Sequence, residues 1–266
     1  MCTDPVEGDD SLPVEAIKRA DALKTLRDAP KTRAALMDAL DVSRTTIHRI
    51  VRDLEARDLL AQTDDEFELS AFGRTVATEV TTYHQRLTAA RRLQPFLDTH
   101  TDRAVELDVG LFADARVTEQ EPTNPYAPVT RFMELLRDSD TLYGFDTTTI
   151  APIFVDEIRE EILDGMETDV VYLPTVVEDI VDAYPKAVKA ALESGELSLS
   201  THDDLPFGLA IFDDRVGIGG YDNETGMLSV FVDTDNPAAR DWALDLYERY
   251  HEEAAPLAST DIPDEP

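Results

Sequence analysis

Cysteine is almost missing from this chain: Cys2 stands alone, so no disulfide can form within it and paired-thiol redox chemistry is excluded. Lysine is scarce too, with five (18, 24, 31, 186 and 189) beside nineteen arginines. No apolar run approaches the ~18 residues that a membrane helix needs, and no signal peptide is legible. A membrane partner is therefore not expected, and the chain is read as cytoplasmic. The five histidines (His48, His84, His100, His202, His251) never stand four apart, so no helical metal pair is expected. No Gly-x-Ser-x-Gly elbow is present either, which leaves nucleophilic catalysis without a motif.

Basic charge is the other shortage. The chain has 24 Lys and Arg against 56 Asp and Glu, a net charge of −32. Residues 1–98 hold 14 basic and 18 acidic residues, and residues 99–266 hold 10 and 38, so the first part is nearly neutral and the second carries the excess. The carboxylates are dispersed and the hydrophobic content is 42%, which describes a folded chain and not an acidic disordered tail. Few lysines, many carboxylates and many Thr, Ala and Val resemble proteins of organisms that keep molar salt in the cytoplasm. There the Debye length falls to roughly 3 Å, and an acidic surface maintains solubility while repelling little beyond direct contact.

Against that background the segment TRAALMDALDVSRTTIHRIVRDL, residues 32–54, is the most informative. Ile47, Ile50, Val51 and Leu54 recur at three- and four-residue intervals and make one apolar stripe, while Thr45, His48, Arg49 and Arg52 fall opposite. Ser43 stands where an N-cap belongs, so the helix should open at Arg44 and present Arg44, Thr45 and Thr46 at its tip. A preceding helix offers Ala34, Leu36, Met37 and Leu40. An earlier one from Glu15 to Asp28 offers Ile17, Ala20, Leu23 and Leu26, with Pro30 ending it. After Leu59 and Leu60, AQTDDEFELS alternates across a polar tip of Asp64, Asp65 and Glu66. That is the layout of a winged helix-turn-helix, whose second helix reads double-stranded DNA in the major groove. Arg can bond guanine bidentately, and Thr methyls can touch thymine. The expected DNA-binding residues are Ser43, Arg44, Thr45, Thr46, His48, Arg49 and Arg52, joined by Lys31 and Arg33. From Lys31 to Arg57 six basic residues outnumber four acidic ones. The acidic wing tip is expected to avoid the phosphates.

From Phe72 to Leu97 one long helix is expected, with Val76, Val80, Tyr83, Leu87, Ala90, Gln94 and Leu97 alternating at four and three. Such a heptad seam either pairs with its twin in a homodimer or docks on its own domain. Beyond Asp102 strands and helices alternate. AVELDVGLF, TLYGFDT, TDVVYLP, LSLS, FGLAIFDDRVGIGGYD and TGMLSVFVDT read as strands. PVTRFMELLRDS, PIFVDEIREEILDG, Thr175–Ser194 and Pro237 to about Glu252 read as helices, with Gly165 and Gly195 at helix ends. His202-Asp203-Asp204 reads as a loop, Asp222 to Gly226 as a hairpin turn, and Gly217, Gly219 and Gly220 as a closely packed strand. In open sheets ligands enter at the C-terminal ends of strands, which selects Asp146, Thr147, Thr148, Tyr172 and Thr175 as effector-binding candidates; turn formation and helix capping are the alternative roles.

The winged helix and the stretch GIGGYDNETGMLSVFVDTDNPAARDWALDLYERY resemble haloarchaeal transcriptional regulators whose effector domain was first described in a methanogenesis regulatory protein; the likeness runs from Glu15 to Ala255. The fold is also similar to the phospholipase D-type effector domains of sugar-responsive archaeal regulators, although the catalytic His-x-Lys pair of active phospholipases is missing. The resemblance implies a site-specific transcription factor with a sensor domain and an unassigned small-molecule effector. The expected fold class is α/β: a winged helix-turn-helix at residues 15–75, a long connecting helix at 76–98 that is the candidate for dimerisation, a mixed α/β effector domain at 99–255, and a loose tail at 256–266. No cofactor, metal or catalytic residue is expected. A protein-binding adaptor that docks through the winged helix, and an enzyme with a concealed α/β site, are the competing classes.

Overall fold

The computed structural model describes residues 11–63, 65–100, 107–148, 154–222 and 224–262. They form two compact units that divide between Thr88 and Ala89.

The first unit contains α1 (Leu12–Lys18), α2 (Ala20–Asp28), β1 (Lys31–Thr32), α3 (Arg33–Leu40), α4 (Arg44–Glu55), β2 (Leu60–Thr63), β3 (Glu66–Leu69) and most of α5 (Ala71–Arg92). Its core is built from Leu23, Leu26, Leu36, Ile47, Leu54, Leu59, Phe67 and Leu69. The wing is the antiparallel hairpin of β2 and β3, with Leu60 opposite Leu69 and Thr63 opposite Glu66. Asp64 at its tip lies outside the described residues. A third strand not expected from the sequence, β1, pairs Lys31 with Phe67 and Thr32 with Glu66.

Two expectations for this unit need correction. The helix expected from Glu15 to Asp28 is broken at Arg19, whose guanidinium is drawn to Asp53 at 2.9 Å. The break turns Ile17 outward, 44% exposed, and buries Ala16 in its place. In α3, Ala34 is exposed and only Leu36 is fully buried, because eight residues give the helix barely two turns against the core.

The second unit is a mixed α/β fold around an eight-stranded sheet. Its strands are β4 (Arg116–Glu119), β5 (Thr141–Asp146), β6 (Glu167–Tyr172), β7 (Leu197–Thr201), β8 (Gly208–Ile211), β9 (Val216–Tyr221), β10 (Leu228–Thr234) and β11 (Ala255–Pro256). Their order is β11-β7-β6-β5-β8-β9-β10-β4, in which β5, β6 and β7 run parallel and the remaining pairs are antiparallel. The helices are α6 (Gln94–Leu97), α7 (Ala127–Arg137), α8 (Val155–Leu163), α9 (Pro174–Ala183), α10 (Pro185–Ser194) and α11 (Pro237–Glu253). Strand alternation sends Phe145, Leu209, Ile211 and Val232 into one core with α6 and α11. The intervening Leu142, Ala210, Phe212 and Phe231 meet α7 and α8 on the other face.

Here too the sequence reading is corrected in places. Within AVELDVGLF, residues 104–106 lie outside the described residues, and Val109–Phe112 is a turn of three-ten helix and not a strand. Asp108 causes this: its side chain accepts from the Gly110 N–H at 3.0 Å and closes the chain into a turn. The edge strand is instead β4, which pairs with β10. The helix expected from Thr175 to Ser194 is broken at Tyr184, because Pro185 has no N–H to continue the ladder. The helix expected to run to Leu97 breaks at Leu93, ahead of Pro95. The tail expected to be loose is docked: Ala255 and Pro256 pair with β7, the Leu257 N–H donates to the Leu199 carbonyl at 2.8 Å, and Ile262 is buried beside Val188 and Leu199. An open strand edge and two apolar side chains explain the docking.

Candidate nucleic-acid interface and effector cleft

Helix α4 forms where its sequence says it should. The Ser43 Oγ accepts from the Thr46 N–H at 3.2 Å and lies 2.9 Å from the Thr46 hydroxyl, so the first turn is capped before any tertiary contact is made. Ahead of it, Asp41 takes the left-handed conformation (φ 49°) that ends α3 and redirects the chain. Ile47, Ile50, Val51 and Leu54 are all buried. Their burial forces Arg44, Thr45, His48, Arg49 and Arg52 to the exposed face, while Thr46 is half-buried through its bond to Ser43.

Among the described residues Arg44, Arg49 and Arg52 engage no hydrogen-bond or ion-pair partner. Nearby arginines are occupied: Arg19 by Asp53, and Arg57 by the Asp53 carbonyl at 2.9 Å and the Ser11 hydroxyl at 3.3 Å. A shallow cleft beside α4 is lined by Arg33, Thr45, His48, Arg49 and Arg52, with Glu55 at its end. Arg33 reaches it from the start of α3 and lies over the Phe67 ring, 5.3 Å from its centre, so the wing strand holds this guanidinium in place. Of the nine residues expected to meet DNA, five therefore converge on one concave basic surface with Arg33 among them, and Arg44 projects from the helix tip. Ser43 and Thr46 build the tip by capping each other. Lys31 is half-buried in β1 and does not line the cleft. Asp65 and Glu66 on the wing are exposed and acidic.

The effector candidates separate into two groups. Asp146 ends β5 and is level with Tyr172, which ends the parallel β6. Both border a cleft on the face that carries α7, shared with Tyr221 of β9 and with Gly208 and Gly219. Asp146 Oδ2 accepts from the Tyr221 hydroxyl at 2.5 Å, and Oδ1 accepts from the Thr147 N–H at 2.7 Å and the Thr148 N–H at 3.3 Å. Gly208 makes room for this group: a Cβ there would lie 3.0 Å from the Tyr221 hydroxyl and 3.1 Å from both Asp146 oxygens. Loss of water raises the Asp146 carboxyl to about 6, despite the three donors that favour its charge. Burial first, and then the charge of Asp146, push the Tyr221 and Tyr172 hydroxyls above their ordinary range.

Thr147 and Thr148 act as turn formers, through their backbone N–H groups. Thr175 is exposed on the first turn of α9 and borders neither this cleft nor its neighbour. Sequence reasoning missed Tyr221 and Gly208 because they reach Asp146 across 75 and 62 positions of chain, a separation no local pattern encodes. The glycines of β9 do pack closely, as expected: a Cβ on Gly217 would collide with the Phe231 ring. Among the described residues no group of three or more His, Cys, Asp or Glu could hold a metal ion, and no helix is long and apolar enough to cross a membrane.

Two protein families match separate parts of the chain. Residues 9–92 match the family described as the HVO_A0261 N-terminal domain, and residues 125–253 match the middle domain of the methanogenesis regulatory protein FilR1. No curated protein matches. Among solved structures, TrmBL2, an archaeal chromatin protein described as showing a novel mode of DNA binding, is similar at 15% identity over 95% of this chain and 97% of its own, with a TM-score of 0.44. A phospholipase D family member, Nuc from Salmonella typhimurium, is similar at 15% identity over 54% of this chain and 97% of its own (TM-score 0.41). NucT from Helicobacter pylori is similar at 12% over 54% and 98% (TM-score 0.42).

Proposed function

For a chain that carries an HVO_A0261 N-terminal domain followed by a FilR1 middle domain, we propose the role of a sequence-specific, DNA-binding transcription regulator of the haloarchaeal type, acting in the cytoplasm. One observation carries the reading. A capped, amphipathic second helix buries its whole apolar stripe and leaves Arg44, Thr45, His48, Arg49 and Arg52 facing solvent, with its arginines uncommitted among the described residues. Arginines spent on internal ion pairs could not bind phosphate or guanine; these are available. Residues 15–75 bind the operator, residues 76–98 connect, and residues 99–255 sense a signal. The net charge of −32 is no obstacle at molar salt, where screening reduces repulsion to contact range and leaves affinity to direct bonds.

Dimerisation belongs to the same reading. Tyr83 and Leu87 of the heptad seam are 47% and 51% exposed on α5, in a stretch (82–88) with no buried residue. Paired with their twins across a two-fold axis, they would set two recognition helices about 34 Å apart, one turn of duplex. A second copy is thus a partner, together with double-stranded DNA and a small-molecule effector bound near Asp146 and Tyr172. The protein acts without a catalytic step of its own.

Chromatin immunoprecipitation with sequencing tests the regulator directly. Discrete promoter peaks sharing a palindrome are expected. Their absence would overturn the reading in favour of an adaptor that docks proteins on the winged helix.

A further inference from the structure

On the sheet face that carries α8 and α10, two buried clusters approach each other without merging. One centres on Met133, Ile158 and Phe212, the other on Tyr172, Val188 and Leu199, and both touch Val170 and Leu197. Between them lies an apolar groove of about 120 Å³, open to solvent along one side. Val155, Ile158 and Ile162 of α8 form one wall, and Tyr184, between α9 and α10, forms the other with Ala187 and Ala191 of α10. The eight residues from Val155 to Ile162 make the α8 wall about 10 Å long. The gap exists because α10 turns alanines toward α8 where larger side chains would close it. Protein cores are ordinarily packed without such voids, and an unfilled apolar groove costs stability unless something occupies it.

The chemistry of the lining selects the occupant. Thr168 on the floor is already satisfied, its hydroxyl donating to the Met166 carbonyl at 3.2 Å. Among the described residues, Arg159 of α8 is the one charged residue on the lining, and none of them there is a carboxylate. Its side chain is 38% exposed, which sets it at the solvent edge, and its Nη2 reaches only the far-exposed Asp156, at 3.7 Å. Its Nε is buried and has no hydrogen-bond partner among the described residues. An enclosed N–H without an acceptor is costly, and the Nε/Nη edge of a guanidinium matches the two oxygens of a carboxylate. We infer that this groove binds an amphiphilic monocarboxylate, with its hydrocarbon chain along the α8 and α10 walls and its carboxylate paired to Arg159. A neutral alcohol can accept one bond from Nε but offers neither the second oxygen nor the charge of a carboxylate, and a cationic amphiphile would meet Arg159 with like charge. Occupancy here reaches Tyr172, which borders this groove as well as the cleft of Asp146, so the ligand touches a residue of the proposed effector site. Its regulatory meaning rests on the regulator reading, whereas binding itself does not.

Equilibrium dialysis of the full chain in molar potassium chloride, with octanoate, octanol and octylamine as probes, tests the inference. Saturable binding of one octanoate per chain is expected, with octanol and octylamine at least about tenfold weaker. Arg159→Gln should weaken octanoate about tenfold and leave octanol unchanged, and Ala187→Phe, which fills the groove, should abolish both. Arg159 sits at the solvent edge, so its variant keeps the test decisive if Ala187→Phe does not fold. The inference is overturned if octanoate fails to saturate at one per chain, if octanol binds equally well, or if Arg159→Gln binds octanoate as the wild type does. Octanoate binding by a chain with no promoter peaks would sink the regulator and leave the groove assignment standing.

Discussion

Replacing Asp146 by asparagine removes one ionisation from the centre of the C-terminal unit while keeping the side chain's shape and the acceptor that Thr147 and Thr148 bond. Burial has raised this carboxyl to about 6 from an ordinary 3.8. The folded state therefore holds the proton more tightly than the unfolded chain does. The stability this confers is present in full below the ordinary value and is lost as the pH climbs through 6. A difference of about two pKa units corresponds to about 3 kcal/mol, at the upper end. The wild type should lose that amount between pH 4 and pH 7 relative to Asp146→Asn, which has no charge to bury. Trp242 is the single tryptophan and packs edge-on against Phe112 within the same unit, so its fluorescence follows this unit during urea unfolding. Measured at constant high ionic strength, the stability difference between variant and wild type should widen with pH in the variant's favour. A difference that stays flat from pH 4 to pH 7 would refute the enclosure of this carboxyl and the reasoning built on it.

Further outcomes follow from the same geometry. Ser43→Ala removes the acceptor for the Thr46 N–H and should lower the stability of the N-terminal unit by about 1 kcal/mol, seen as an earlier thermal transition; an unchanged transition would deny the cap. Gly217→Ala drives a methyl into the buried Phe231 ring and should cost about 1–3 kcal/mol in Trp242-detected unfolding, and wild-type stability would contradict that packing. Leu87→Glu should convert a dimer to a monomer by light scattering in high salt, whereas a wild-type protein already monomeric at micromolar concentration would remove the seam from the account.

What the sequence made legible is what local physics decides. The stripe of Ile47, Ile50, Val51 and Leu54 is buried to the last residue, and Ser43 caps the helix it was expected to cap, because period and capping are written within twelve positions. The same holds for β5, β6 and α11, and for Gly195, whose φ of 83° only a residue without a Cβ adopts readily. Failures came where a single residue outweighed a pattern. Pro185 and Pro95 broke expected helices, and Asp108 closed a turn inside a strand-like run. Others came where tertiary structure supplied the partner: β1 became a strand because β3 needed one, and the tail was held because β7 had a free edge. The basic surface on α4 was readable for that reason, being nearly all one helix, with Arg33 added across a short turn. The cleft was only half readable. Asp146 and Tyr172 could be placed at strand ends, but Tyr221, Gly208 and Arg159 belong to their surroundings through strand order and helix packing, which no spacing reveals.

The recognition helix itself is tested most directly by fluorescence anisotropy of the full chain on the duplex found by genome-wide occupancy, in molar potassium chloride. Arg44→Ala and Arg49→Ala should each weaken binding by about 1–3 kcal/mol, roughly five- to more than a hundredfold, through loss of a direct contact. Wild-type affinity in both variants would contradict the account.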